Sequence, residues 1–144
     1  MARIHGGTPH RFPLLLVDTL ETLEPGFGRA FKQVSCNEAL FERFGDAPSA
    51  LPSCLLVDAL GQVAILLLRG PDEATPSVWY LGGIEAMAFQ APIPAGSVVR
   101  MEARILKQWR TTVRVEVNAW AGDVPAASGV MVLSQRGAKS NESP

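Results

Sequence analysis

Leu51-Pro52-Ser53-Cys54-Leu55-Leu56-Val57-Asp58-Ala59-Leu60-Gly61-Gln62-Val63-Ala64-Ile65-Leu66-Leu67-Leu68 is an unbroken run of helix formers that carries one acid, and the fold is read outward from it. Proline is tolerated in a first helical turn, where its missing N–H has no intrahelical acceptor, so Pro52 marks the start of a helix. Gly70-Pro71 marks its end. Between these limits the pattern is apolar on every face, which belongs to a helix buried inside a domain. The run is too short, and Asp58 and Gln62 too polar, for a membrane span. The rest of the chain is therefore expected to wrap around this helix.

Asp58 is the anomaly. A carboxylate in apolar surroundings must be hydrogen-bonded, paired or protonated, because desolvating a lone charge is costly. Two readings stay open at this point. Asp58 is a site acid, or it is structural, with Asp58 and Gln62 one turn apart on one face satisfying each other or tying down a neighbouring loop.

The bulk properties bound the answer. A chain of 144 residues makes one domain with a core that needs no staple. The net charge is −1 and the basic residues are scattered, which leaves a nucleic-acid surface without support. Cys36 and Cys54 lack metal-type spacing, so neither a metal nor a disulfide is expected, and a reducing cytoplasm suits them. Nothing calls for a cofactor; in particular, Gly82-Gly83 does not form the strand-to-helix turn of a dinucleotide site. Residues 1–9 hold no apolar signal core and are expected to be loose, which again points to the cytoplasm.

Taken in order, the chain reads as strands flanking the helix. Leu14 to Asp18 is too short to assign; Thr19 to Glu24 reads as a strand, Pro25-Gly26 as a turn and Gly28 to Ser35 as a second strand. Asn37 to Phe44 looks like one or two helical turns. Beyond the helix, Ser77 to Phe89 is a strand in which Gly82-Gly83 predicts a bulge or a close approach of another group. Val99 to Ile105 alternates outward Arg100, Glu102 and Arg104 with inward Met101, Ala103 and Ile105. Val113, Val115, Val117 and Ala119 likewise oppose Arg114, Glu116, Asn118 and Trp120. Asp123 to Gln135 adds another strand, and 136–144 is a polar tail expected to be disordered. One antiparallel sheet around one helix, an α+β domain over 10–135, satisfies this layout. Its open edges favour pairing with a second copy.

The strings Pro9-His10-Arg11-Phe12-Pro13-Leu14-Leu15-Leu16-Val17-Asp18, Leu51 to Gln62, Tyr80-Leu81-Gly82-Gly83-Ile84 and Pro92-Ile93-Pro94-Ala95-Gly96 resemble, in order and spacing, the β-hydroxyacyl-(acyl carrier protein) dehydratases of fatty-acid synthesis. The resemblance covers about Thr8 to Gln135. It implies a hotdog fold, with the long helix as sausage and the sheet as bun, and a dimer whose two sites lie at the subunit interface. In that family a histidine of one subunit removes the α-proton of a 3-hydroxyacyl thioester, and an acid on the other subunit's helix helps the hydroxyl leave. Backbone N–H groups at the helix start polarise the thioester carbonyl. Asp58 falls on the acid position, and Ser53 and Cys54 on the positions of those N–H groups.

The departure is at the base. Counting back from Asp58 by the family's spacing lands on Phe44, which cannot act as one. The chain's histidines are His5, in the terminal stretch, and His10, at a motif position with no known catalytic part, and neither is expected in the site. Phe44, Gln62 and Gly83, with Ser53 and Cys54, are expected to line the substrate. Three functions follow: a dehydratase-like enzyme on acyl carrier protein or coenzyme A thioesters, a hotdog thioesterase in which Asp58 activates water, or a non-catalytic acyl-binding subunit. A homodimer or a heterodimer with a paralogue is expected. In a mixed dimer Asp58 would face a paralogue's histidine, which explains an acid kept and a base lost. Trp79, Trp109 and Trp120 read as packing or dimer contacts, Cys54 as a small buried filler, and Asp18 as a residue that fixes a strand end or loop.

Overall fold

A computed structural model describes residues 2–36, 50–70 and 78–136. Along the chain run α1 (Ala2–Gly7), β1 (Thr19–Glu24), β2 (Phe27–Gln33), α2 (Ser53–Arg69), β3 (Trp79–Phe89), β4 (Val98–Trp109), β5 (Thr112–Ala121) and β6 (Val124–Gln135). The strands form one antiparallel sheet in the order β1-β2-β4-β5-β6-β3. α2 lies against its concave face, touching β2, β4 and β5. The α+β reading and the wrapped helix are thus what forms. The helical turns expected over Asn37 to Phe44, Phe44 itself and the tail beyond Arg136 lie outside the described residues.

Period-two patterning accounts for the two faces of the sheet. Met101, Ala103, Val113, Val115, Val117, Ala119, Met131 and Leu133 are essentially inaccessible and meet Leu60, Val63, Ala64 and Leu67 of α2 in one core. The outward residues form a charged and aromatic layer. Arg29 bridges Glu21 of β1 and Glu102 of β4, and its hydrogen bonds to these two carboxylates raise the guanidinium pKa above its ordinary value. Arg100 lies 4.4 Å over the Trp120 ring, so Trp120 packs as a cation–π platform, whereas Trp109 is largely exposed. Asp18 fixes a strand end as expected, its Oδ2 accepting the Gln33 N–H at 2.7 Å.

Two sequence expectations are corrected at the helix and the N-terminus. Residues 1–9 were expected to be loose, yet Ala2–Gly7 is helical and Ile4 and Thr8 are each 2 % exposed. Gly7 lets this turn approach α2 closely, since a Cβ there would clash with Leu66. Cys54 was expected to be a buried filler, and α2 to be covered on every side. Instead Ser53 and Cys54 are exposed and Asp58 is half-exposed, while on the other face of these turns Leu56 is buried in the core.

β3 is the irregular strand. Its register with β6 shifts between Leu81 and Gly83, where the paired glycines predict a bulge, and again between Glu85 and Ala88. Ala86 adopts φ 49° in the second shift, a left-handed conformation uncommon for alanine, which turns Met87 onto Gly129 of β6. A Cβ on Gly129 would stand 2.9 Å from the Met87 Cα. Among the described residues β3 pairs only with β6, and Val78, Tyr80, Leu81, Ile84 and Phe89 along it are each about half exposed. A long apolar edge of this kind is a template for another strand.

Two outcomes follow. Gly129→Ala lowers stability by about 1–3 kcal/mol in urea denaturation, since backbone rather than a flexible side-chain end must yield; an unchanged midpoint would show the β3–β6 approach to be loose. Light scattering at micromolar concentration gives a dimer mass, and a monomer alone would mean that the β3 edge does not serve for assembly.

Candidate active site

The site is built from the middle of α2 outward. Asp58 and Gln62, four residues apart, share a helix face, and the Gln62 Nε2 donates to Asp58 Oδ2 at 2.9 Å. Gln62 is completely buried, and its remaining polar capacity reaches the segment before β1. Its Oε1 accepts the Leu16 N–H at 2.8 Å and its Nε2 donates to the Leu14 carbonyl at 2.7 Å. Both halves of the structural reading therefore hold: the pair satisfies itself and also ties down a neighbouring loop. The bond leaves Asp58 Oδ1 free of Gln62.

What approaches Oδ1 is the ring of His10. Its Nε2 lies 3.8 Å from Asp58 Oδ1, with the two side chains 25 % and 44 % exposed. On the other side of the ring Nδ1 is 2.6 Å from the hydroxyl of buried Thr8, which also accepts the His10 backbone N–H at 3.3 Å. Arg11 Nη1 donates to the carbonyls of Thr8 and His10 at 2.8 and 2.7 Å and stiffens the turn. His10 is read from the sequence as lying away from Asp58, whereas the structure sets its ring beside that carboxylate. The available signal was its position just upstream of the segment that Gln62 holds, so that fastening one end of the segment to α2 carries the other end past Asp58.

Toward the open end of the helix, Pro52 occupies the N-cap position with φ −57° and ψ 138° and gives no side-chain cap. The Pro52 carbonyl accepts from Leu55 and Leu56 at 3.0 and 3.1 Å. Helix geometry leaves the N–H groups of Ser53 and Cys54 without intrahelical acceptors, and the partial positive charge of the helix start falls there. Ser53 and Cys54 thus stand exposed one to two turns before Asp58, as an anion- or carbonyl-polarising end requires. Among the described residues Gly83 takes no part in the hydrogen bonds around Asp58; it lies on β3 opposite Val132, at the first bulge. Among the described residues no group of three His, Cys, Asp or Glu could hold a metal ion.

Comparison with known proteins bears on the fold and the family. A model of the FabA-like domain matches residues 8–129. The chain is 33 % identical over 135 residues to the 3-hydroxyacyl-[acyl-carrier-protein] dehydratase FabZ of Nitratidesulfovibrio vulgaris, covering 92 % of this chain and 88 % of that one. It is 31 % identical over 128 residues to the FabZ of Natranaerobius thermophilus, covering 88 % and 89 %. Among solved structures it superposes on the dehydratase heterocomplex ApeI:P from Xenorhabdus doucetiae with a TM-score of 0.79 at 17 % identity, over 93 % of this chain and 91 % of that one. A hypothetical thioesterase protein with coenzyme A from Streptococcus pneumoniae gives 0.64 at 14 % identity, over 84 % and 87 %. The fold is the hotdog fold.

Asp58 and Gln62 are separable by stability. Gln62→Leu strands the Leu16 N–H and Leu14 carbonyl and costs about 2–4 kcal/mol, whereas Asp58→Asn, which keeps an acceptor for Gln62 at a half-open position, costs under about 1 kcal/mol. Urea denaturation of both variants checks this, and equal losses would make Asp58 part of the scaffold.

Proposed function

Since the chain belongs to the FabA-like family, we propose that it handles 3-hydroxyacyl and enoyl thioesters of acyl carrier protein or coenzyme A in fatty-acid or polyketide-type metabolism, as a dehydratase-like protein of the cytoplasm. The observation that carries this reading is Asp58 itself. One carboxylate oxygen is tied back to Gln62, and the group remains half open beside an uncapped helix start. A thioester carbonyl at the N–H groups of Ser53 and Cys54 would place the substrate's C3 hydroxyl along the helix toward Asp58. Gln62 supports this site from beneath as the holder of the acid.

The base is supplied from outside the chain in this reading. Phe44 stands at the spacing where the resemblance requires histidine, so a homodimer would have two acids and no family base. A paralogue with histidine at that position, pairing along the β3 edge, would set its imidazole against Asp58 and complete one site per mixed dimer. The relative ApeI:P is itself a dehydratase heterocomplex. A hydrolase reading draws on the same open carboxylate, with Asp58 activating water, and differs in its product.

The test is a crotonyl thioester assay that follows enoyl absorbance and free thiol together. Because general-base catalysis is typically worth about 10²–10⁴-fold, Phe44→His raises hydration measurably above the parent homodimer. Adding Asp58→Asn to that variant abolishes the gain. Thiol release by the parent that is lost with Asp58→Asn would establish hydrolysis instead. Ordinary hydration rates in the unmodified protein would show that the base lies within this chain and that Phe44 is not its place.

A further inference from the structure

A carboxyl group in water titrates near pH 4, so an aspartate asked to protonate a departing hydroxyl near pH 7 needs a proton source. Histidine is the side chain whose titration ordinarily falls in that range. We infer that His10 is that source: a positioning residue that passes its Nε2 proton to Asp58 Oδ1, held by Thr8 so that Nε2 is the nitrogen that exchanges. This rests on the reading of Asp58 as the site acid.

The hydrogen bonds around Thr8 support the assignment. Its hydroxyl oxygen has two acceptor sites and faces two nitrogens of His10, the backbone N–H and ring Nδ1. With the oxygen accepting from both, Nδ1 keeps its proton in either charge state of the ring, and Nε2 is the nitrogen that gives and retakes one. That nitrogen is the one 3.8 Å from Asp58 Oδ1, a short side-chain swing from hydrogen-bond length. Among the described residues, the charged groups beside the ring are Asp58 from α2 and, on its own segment, Arg11, whose guanidinium is turned onto the Thr8 and His10 carbonyls. Thr8 is buried, whereas the quarter-exposed ring can exchange protons with water.

The step balances. The base takes the α-proton, the electron pair of that C–H bond becomes the new C=C bond, and the C3–O bond breaks with its pair leaving on oxygen. Asp58 gives the proton that makes the departing group water and is left as carboxylate. Imidazolium His10 transfers its Nε2 proton to Oδ1, and the neutral ring is reprotonated from solvent. In the hydration direction the same transfers run backwards.

Two measurements test this separately. The first needs no activity. With two histidines in the chain, long-range ¹H–¹⁵N spectra assigned with His5→Gln read the His10 tautomer directly. Neutral His10 is expected as the Nδ1–H form, the minor form of free histidine, reverting toward Nε2–H in Thr8→Val. An Nε2–H ring in the parent overturns the proposal. The second is the pH dependence of crotonyl thioester hydration in the Phe44→His protein with and without His10→Gln. Glutamine can hydrogen-bond Asp58 but carries no transferable proton. The expected result is a kcat loss of about ten-fold or more at pH 8, with KM within about two-fold, shrinking at pH 5, where a carboxyl keeps more of its own proton. No loss, or the same loss at every pH, overturns the relay. Inactivity of Phe44→His itself would fell the functional reading, while the tautomer still decides whether His10 can serve Asp58.

Discussion

The amide of Gln62 is the contact on which the rest of the arrangement depends. It is fully buried in the largely apolar middle of the helix, a place where an unpaired amide would be strongly unfavourable. Every direction in which it bonds does something different. One bond orients Asp58, and two fasten the backbone at Leu14 and Leu16 to α2. Leu16 and Val17 can then sink into the core, and the turn ahead of them is drawn along the helix to bring Thr8 and His10 to the acid. Replacing this amide by an apolar group of the same size would remove the register between the N-terminal segment and the helix, not simply one bond.

The sheet supplies the complementary constraint. Alternation along β5 and the first half of β4 makes a smooth apolar face on which the small and branched residues of α2 can lie. Bulges in β1, β3, β4 and β6 or their partners curl that face around the helix. The sheet covers the C-terminal part of α2 best, where Val63 to Leu67 are buried, and leaves its first turns open. The helix start is left exposed and without a side-chain cap, one turn before a half-exposed acid. The unpaired apolar edge of β3 is the corresponding feature of the sheet.

Local rules along the chain were enough to place the central helix, its limits near Pro52 and Gly70, the inward and outward faces of β4 and β5, the bulge at Gly82-Gly83 and the candidacy of Asp58. All of these rest on local rules: the special backbone of proline and glycine, period-two burial, and the cost of a carboxylate in an apolar run. The family motifs carried the hotdog fold and the dehydratase resemblance further than periodicity could. Tertiary structure alone decided that the loose-looking terminus forms α1, that Cys54 is exposed, and that His10 rather than a neighbour in sequence stands beside Asp58. The reason is range. The bonds from Gln62 to Leu14 and Leu16 join residues 48 and 46 positions apart, and no spacing rule within a helix or strand encodes which distant backbone group a buried amide will hold. Whether an apolar helix face is covered is likewise set by what the sheet reaches after it has curled, a property of the closed shape and not of the residues on that face.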